Sequence, residues 1–538
     1  MEMQSISRVR RDRRHYTRTL ATGLPRVRMS AWLLIAALAA SALARAQKVD
    51  LNVVDHTLKN GMRLLMVERH DAPIVSLYMQ FKVGGVNDPQ GKTGIAHMLE
   101  HMMFKGTRTY GTASYKGELP IMEKIDQTYA QLAAERDKRE SAFQKVDEEK
   151  IQKLEEEMTR LQQEQEKFVV TDELSQTYER LGAVGLNAST GADSTQYFLS
   201  LPSNQLEVWA YIEADRMANP IFREFYAERD VVHEERRLRT DTNPDGLLWE
   251  RFQATAFQAH PYKNPVVGWA SDIDNYTREE VLEYFKTFYA PNNSIVAIVG
   301  DIDPKKTIAM MEKYFGSIPA QRQPRRHISD EPDQPGERRV VVAFDAQPDL
   351  LIGYHIPQAG HEDTFALDVM GQLLSGVTRG SRTGRLYRSL VLEKKVALDV
   401  SAGSNSSLYP NLFIVSATPA QGKTIAEVEE AIYEEIEKFQ KEPPTAEELA
   451  RVRNAVDASM IRALRSNSGV ARMIAGVEHI AGDWRYIFTE VEKTKAVTGE
   501  QVQAMAKKYF SPENRTVGEL RPLAAEESGD PQSMEAVQ

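Results

Sequence analysis

Two histidines and a glutamate lie close together in the stretch from Gly94 to Gly106. His97 and His101 are four residues apart, so on a helix they share one face and lie one turn apart. Their ring nitrogens can then reach a single metal ion at about 2.0–2.1 Å. Glu100 lies between them, where a carboxylate can take a proton from water and pass it to a leaving amine. The alternative interpretation is a pair of hydrogen-bonded core histidines.

An apolar helix is predicted to carry these side chains. Gly106 is expected to end this helix. Because an unpaired buried polar group costs several kcal/mol, imidazoles in such a helix need partners. The order His-x-x-Glu-His is that of the inverted zinc-protease motif. Apolar residues at spacings of three and four form the buried face of this helix, namely Ile95, Met98, Leu99, Met102 and Met103.

Composition and charge limit the class of protein. A chain of 538 residues predicts two or more domains, and 42% apolar with 27% charged residues is ordinary for a soluble globular protein. Cysteine is absent, so a metal site must use histidine and carboxylate ligands. The formal net charge is −10, and residues 47–538 alone carry −17 because residues 1–46 carry +7. This negative charge argues against nucleic acid as a partner.

Residues 1–46 are predicted to be a signal peptide. Arginines are frequent between Arg8 and Arg28, an uncharged apolar run follows at 31–44, and Ala-Arg-Ala precedes Gln47. The apolar run is shorter than the roughly 20 residues that span a bilayer. We therefore expect an exported protein, periplasmic or extracellular. In the alternative interpretation the segment is not cleaved and tethers the chain to the membrane.

The remainder of the chain is predicted to be an internal duplication. Residues 277–293 align without a gap with residues 498–514, and residues 63–79 resemble residues 339–355. Alternating segments predict strands and periodic segments predict helices. We therefore predict an α+β fold of two homologous α/β-sandwich domains. The expected order is a metal-bearing domain at 47–320, a polar linker at 321–337, a second domain without the motif at 338–522 and a disordered tail at 523–538.

A highly charged stretch interrupts the first predicted domain. Residues 121–170 contain 22 charged residues in 50 and neither glycine nor proline. Apolar residues keep three- to four-residue spacing except between about 134 and 150, which predicts a coiled-coil-like hairpin of two helical arms. At 1.5 Å per residue each arm is about 25 Å long. We interpret the hairpin as an insertion, either a solvated spacer or an arm that docks a partner or gates substrate.

A second acidic segment lies in a helix predicted at 222–240. Glu228 and Glu235 are seven residues apart and therefore share a face two turns apart. Glu234 is rotated about 100° from Glu235. By itself this pattern is typical of a solvated acidic face.

The chain resembles the pitrilysin/insulinase family of inverted zinc metallopeptidases. The likeness is to the two-domain branch that includes mitochondrial processing peptidase subunits and bacterial homologues. It is carried by the His-x-x-Glu-His motif and by the acidic run that contains both helix glutamates. The resemblance implies one zinc ion per chain bound by His97, His101 and Glu235. It also implies that Glu100 is the general base and that Glu228 supports the ligands.

The same resemblance predicts how substrate is held. Gly185, Asn187 and Ala188 match a family segment that forms an edge strand and pairs with the substrate backbone. One feature departs from the family. Val391 and Leu398 occupy positions where the family has an arginine and a tyrosine that contact substrate, and neither side chain can donate a hydrogen bond. We therefore expect a heterodimer in which a paralogous subunit supplies these two groups, with a homodimer as the alternative.

Together these patterns predict an exported zinc-dependent endopeptidase. Its expected substrates are peptides or unfolded segments that lie as an added strand between the domains. The alternative function is that of a catalytically silent subunit, related to the family, that serves in binding or assembly.

Overall fold

A six-stranded sheet organises the first half of the chain. The computed structural model describes residues 51–140, 142–324, 327–376 and 382–523. The strands of this sheet are β1 Val53–Thr57, β2 Arg63–Glu68, β3 Ile74–Phe81, β4 Val184–Thr190, β5 Thr195–Pro202 and β6 Ser294–Gly300. Their order is β1-β2-β6-β3-β5-β4, with β2 and β6 parallel and the other neighbours antiparallel. In this arrangement β6 is buried along its whole length, whereas β4 is an edge strand.

A five-stranded sheet in the second half repeats this arrangement. Its strands are β7 Arg338–Phe344, β8 Asp349–Ile356, β9 Ala397–Ser404, β10 Asn411–Pro419 and β11 Arg515–Pro522. The order β7-β11-β8-β10-β9 matches β2-β6-β3-β5-β4, and β7 and β11 are parallel as β2 and β6 are. The predicted α+β fold is therefore confirmed, and the repeated strand order agrees with an internal duplication.

Helices pack on both sheets. In the first half they are α1 Ile95–Met102, α2 Tyr115–Arg136, α3 Glu148–Glu166, α4 Glu173–Arg180, α5 Leu206–Ala218, α6 Phe225–Arg236, α7 Pro244–Ala256, α8 Ala270–Asn275, α9 Arg278–Phe288 and α10 Pro304–Phe315. In the second half they are α11 Glu362–Ser375, α12 Ile425–Lys441, α13 Ala446–Leu464, α14 Asn467–Ala481, α15 Tyr486–Ala496 and α16 Gly499–Tyr509. The aligned helices α9 and α16 begin with the same type of capping box, Thr277 with Glu280 and Thr498 with Gln501.

The two halves exchange one helix each. Helix α7, from the first half of the sequence, packs on β7 and β11 of the second sheet. There the ring of Phe252 lies so close to Gly353 and Gly518 that a Cβ at either glycine would meet it at 2.7–3.1 Å. Helix α14, from the second half, packs on β3 and β6 of the first sheet. The central strands β3, β6 and β8 are buried over most of their length. Each sheet therefore needs a covering layer on both faces, and the exchanged helix supplies one of them.

The charged stretch forms two antiparallel helices, α2 and α3. Glu118 at the start of α2 contacts Gln165 at the end of α3, and Glu135 near the other end of α2 contacts Lys150. The two helices are longer than expected, about 33 and 28 Å at 1.5 Å per residue. Ile121, Ile125, Tyr129 and Leu132 of α2 are buried in the core of the first half. This arm is therefore part of the core rather than a solvated spacer.

Several predictions concern the ends of the chain and the connection between the halves. The predicted signal peptide at 1–46 and residues 524–538 of the predicted tail lie outside the described residues. Among the helices that the structure describes, none combines the length and apolar character needed to cross a bilayer.

In the predicted linker, the Glu331 carboxylate accepts hydrogen bonds from the backbone N–H groups of residues 258–260. This connection is therefore tied to the first half.

Candidate metal centre

Helix α1 presents both motif histidines from a well-fixed N-terminus. Gly94 precedes the helix at φ 85°, and a Cβ there would lie 2.4 Å from the carbonyl oxygen of Val267. The carboxylate of Asp88 accepts hydrogen bonds from the N–H groups of Gly94 (2.8 Å) and Ala96 (3.2 Å). The predicted apolar residues are buried around the helix. It ends at Met102, earlier than the expected stop at Gly106, because Met103–Lys105 continue as tight turns.

Helix α6 brings a carboxylate to the two histidines. Glu235 Oε1 lies 3.6 Å from His97 Nε2, and Glu235 Oε2 lies 3.3 Å from His101 Nε2. One donor atom from each of the three residues lies within 4.8 Å of the others. Glu234, one residue earlier, instead faces solvent and pairs with Arg237 at 2.6 Å. The three ligands predicted from the sequence therefore converge.

The spacing of these atoms fits a four-coordinate zinc ion. Ligands at about 2.0–2.2 Å around a tetrahedral ion are about 3.3–3.6 Å apart. The two measured nitrogen–oxygen distances, 3.6 and 3.3 Å, fall in that range. They exceed the 2.7–2.9 Å that is usual for a charge-assisted hydrogen bond. Two imidazoles and one carboxylate are also a common protein donor set for zinc with one position left open.

Glu228 fixes the orientation of one histidine. Nδ1 of His101 donates a hydrogen bond to Glu228 Oε1 at 2.9 Å, which leaves Nε2 as the metal-facing nitrogen. Lys105 lies 2.6 Å from the other oxygen of Glu228 and 3.3 Å from Glu224. Sequence analysis predicted the role of Glu228 but missed Lys105, although it lies one turn beyond His101. Among the described residues, the buried Nδ1 of His97 has no hydrogen-bond partner.

The two histidines have opposite protonation tendencies. Burial, together with the neighbouring His101, lowers the pKa of His97 to about 4. Burial also opposes the charged form of His101, but its contacts with Glu228 and Glu235 raise its pKa to about 9. Contact with His101 lowers the pKa of Glu235. Without a metal, the protonated ring of His101 therefore bridges Glu228 and Glu235, and a metal ion can take the place of its Nε2 proton.

Glu100 faces the end of the edge strand β4. The hydroxyl of Thr190, the last residue of β4, donates a hydrogen bond to Glu100 Oε2. Burial raises the pKa of Glu100, and the Thr190 hydroxyl partly opposes this rise. A carboxyl group with a raised pKa exchanges protons more readily near neutral pH. Sequence analysis did not identify Thr190, which lies 90 residues from Glu100.

Arg223 joins the segments that carry the site residues. Its side chain is 1% exposed and donates to the carboxylate of Glu118 in α2. It also donates to the backbone carbonyls of Lys105, Thr107 and Tyr110, in the loop after α1. The hairpin helix α2, the loop after α1 and the start of α6 therefore share one buried guanidinium. No periodic pattern marks Arg223, and sequence analysis missed it.

The predicted substrate strand lies at the edge of the first sheet. Gly185 adopts φ 67°, and the pairing register with β5 shifts between Val184 and Asn187. Asn187 is exposed, and its side-chain oxygen accepts a hydrogen bond from the Ala188 N–H at 2.9 Å. Since Thr190 contacts Glu100, the edge strand runs directly to the glutamate of the motif.

The second half offers no hydrogen-bonding side chain at the two divergent positions. Val391 packs against the core of the second half. Leu398 lies on β9 and is 54% exposed. Neither of these two side chains can therefore donate a hydrogen bond to a substrate carbonyl.

Comparison with known proteins identifies the family. The family model "Insulinase (Peptidase family M16)" matches residues 63–131 and 166–269, and "Peptidase M16 inactive domain" matches residues 275–456. The unmatched gap, 132–165, is narrower than the predicted insertion at 121–170 and contains the end of α2 and nearly all of α3.

Individual relatives agree with this match. The zinc protease PqqE of Helicobacter pylori is 28% identical over 427 residues, which are 78% of this chain and 82% of PqqE. The crystal structure of a protease from Helicobacter pylori matches with a TM-score of 0.71 and 26% identity, over 88% of this chain and 100% of that one. The periplasmic protease PqqL from Escherichia coli shares the fold, with a TM-score of 0.63 and 16% identity, over 88% of this chain and 48% of PqqL. This chain therefore belongs to the pitrilysin/insulinase family, peptidase family M16.

Proposed function

We propose that this protein is a zinc-dependent endopeptidase that cleaves peptides or unfolded segments. The observation that carries the proposal is the convergence of His97, His101 and Glu235 at ligand-like spacing, next to the carboxyl group of Glu100. When bound, zinc supplies a Lewis acid that polarises the scissile carbonyl and acidifies the attacking water.

Glu100 moves the proton in this proposal. Its carboxylate takes a proton from the attacking water and gives it to the departing amine. The raised pKa that burial produces favours the first transfer, because a more basic carboxylate takes the proton from water more readily and then holds it for the amine. The Thr190 hydroxyl holds the Glu100 carboxylate toward the end of β4.

Glu228 and Lys105 hold His101 in place. The Glu228 carboxylate accepts the Nδ1 proton of His101, so that Nε2 keeps its lone pair for the ion. Burial alone would raise the pKa of Glu228, but the contacts with His101 and Lys105 lower this pKa to about 2. Glu228 therefore remains charged throughout the physiological range and orients the ring.

We propose that substrate binds as an added strand on β4. Main-chain hydrogen bonds give affinity with little demand on sequence, which suits extended or unfolded substrates. A paired peptide would replace the contact between Asn187 and the Ala188 N–H. It would also pass Thr190 and therefore Glu100.

We also propose that a second, paralogous chain completes the site, with a second copy of this chain as the alternative. Val391 and Leu398 cannot stabilise an oxyanion, so that task falls to another polypeptide. The likeness to PqqL supports a pair, because this chain matches only 48% of a PqqL chain and 92% of its first half.

Export is part of the proposal. Residues 1–46 have the basic, apolar and Ala-x-Ala regions of a secretory signal, and PqqL is described as periplasmic. We propose a periplasmic or extracellular protein, with membrane tethering through the apolar segment as the alternative.

The proposal is tested with the purified chain, alone and mixed with a paralogue that carries the arginine and tyrosine. We expect about one zinc per chain and cleavage of unfolded casein that stops on chelation and returns with zinc. Glu100→Gln should keep zinc and lose cleavage, because an amide cannot accept the proton. Cleavage by Glu100→Gln at the normal rate would exclude its role as base. If the chain binds no zinc and cleaves nothing, either alone or with the paralogue, it would instead be the catalytically silent subunit.

A further inference from the structure

A groove lies beside the edge strand β4, on the face of the sheet away from the metal centre. It has a volume of about 730 Å³ and runs between β4 and the beginning of α14, the helix that the second half contributes. Its wall includes Tyr78, Asn187, Ser189, Gln196, Phe198 and Arg472. The groove thus combines side chains from both halves of the chain.

The pairing register decides which side chains share this face. Asn187 lies opposite Phe198 and Ser189 lies opposite Gln196, and directly paired residues point to the same side of a sheet. Ala188 and Thr190 alternate with them and point to the other side, where Thr190 contacts Glu100. A peptide added to β4 would follow the same alternation. Every second side chain would face the groove, and the others would face the metal centre.

Arg472 is the one charged residue among those lining this groove in the described part of the chain. It lies on α14 and is exposed, and no carboxylate among the described residues lies within 4.0 Å of it. Its neighbours on the sheet are polar and aromatic: Tyr78 donates to Gln196 at 2.5 Å and stacks on Phe198 at 5.8 Å. Burial raises the pKa of Tyr78 to about 12, and the positive charge of nearby Arg472 opposes that rise.

The groove side of the β4 edge carries a cation and no carboxylate among its lining residues in the described structure. An acidic substrate side chain that faces this groove is therefore attracted to it. Arginine also matches a carboxylate with two parallel N–H donors.

We propose that Arg472 binds an acidic side chain of a peptide paired with β4, so that the second half of the chain contributes to substrate selection. This inference rests on the proposed function, since it needs a peptide on the edge strand. It predicts that an acidic residue is favoured at the substrate position opposite Arg472, and that this position belongs to the alternate set whose side chains face the groove.

The test measures binding apart from cleavage. Two fluorescein-labelled twelve-residue peptides rich in alanine, serine and threonine carry three glutamates or three glutamines at alternate positions. Their affinities for zinc-loaded Glu100→Gln protein are measured by fluorescence anisotropy. The double variants add Arg472→Met or, as a matched control, Arg462→Met, which removes an exposed charge from α13 outside the groove lining.

We expect the glutamate peptide to bind about threefold to tenfold more tightly than the glutamine peptide, as for a partly exposed ion pair. Arg472→Met should abolish this ratio, whereas Arg462→Met should keep it. If a glutamate of the peptide contacts zinc directly, it does so in both variants. The difference between the two variants in the affinity ratio therefore reports Arg472 alone. Equal affinities in the parent, no measurable binding of either peptide, or an unchanged ratio in Arg472→Met would overturn the proposal. Casein cleavage by the unmodified protein reports separately on the proposed function.

Discussion

Nδ1 of His101 lies 2.9 Å from Oε1 of Glu228, a residue 127 positions later in the sequence, and this contact joins two helices. It connects the end of α1 to the first turn of α6, the helix that also carries Glu235. Lys105 lies against the same carboxylate at 2.6 Å. The orientation of one proposed ligand therefore depends on a residue that does not reach the metal position.

Replacing Glu228 should weaken zinc binding. In Glu228→Gln the Nδ1 proton of His101 loses its charged acceptor, and substitutions of this kind reduce metal affinity about 10- to 100-fold. Competition with a fluorescent zinc chelator measures the change. Glu234→Gln is the matched control, because Glu234 is on the same helix but pairs with Arg237 at the surface. Equal affinities of the two variants would show that Glu228 does not support the site.

Zinc affinity should rise with pH up to about 9. The pKa of His97 is about 4, so this ring is already neutral at pH 7, whereas the pKa of His101 is about 9 and its proton must leave before zinc binds. Below pH 9 the apparent affinity should therefore increase about tenfold per pH unit and then level off. Zinc titrations between pH 6 and 10 measure this. In Glu228→Gln the levelling should occur at lower pH, and a profile flat from pH 6 would contradict the proton displacement.

Removal of the Thr190 hydroxyl should alter the pH dependence of cleavage. Burial raises the pKa of Glu100 and the hydroxyl opposes that rise, so Thr190→Val should raise the pKa further. The acidic limb of the kcat/KM profile, which reports the base, should then move to higher pH with zinc content unchanged. Ser189→Ala is the control, since Ser189 faces the opposite side of the sheet. An acidic limb that stays in place would exclude this coupling.

Breaking the buried pair between Arg223 and Glu118 should destabilise the fold. Glu118→Gln leaves the guanidinium of Arg223 buried without its counter-ion, which typically costs about 3–5 kcal/mol of unfolding free energy. Urea unfolding followed by circular dichroism measures the loss. The control is Glu155→Gln, which breaks an exposed pair with Arg136 on the same hairpin and should cost no more than about 1 kcal/mol. Similar losses in both variants would mean that the buried pair does not brace this region.

The sequence by itself determined the parts of the protein that depend on local spacing. His97 and His101 share a face because they are four residues apart, and the seven-residue interval places Glu228 and Glu235 together on α6. The same periodicity distinguished Glu235 from Glu234, once the family resemblance indicated that this helix faces the site. The repeated segments likewise predicted two homologous halves, because equal patterns favour equal elements, and the strand orders of the two sheets agree with that prediction.

Only the tertiary structure decided which distant groups meet. Thr190 lies 90 residues from Glu100, and Arg223 lies 105 residues from Glu118. No periodic pattern relates such positions, because their contact depends on how whole helices and strands pack. The burial of α2 and the exchange of α7 and α14 were hidden for the same reason. A charged segment can still supply a buried face, and a covering helix can come from either half of a duplicated chain.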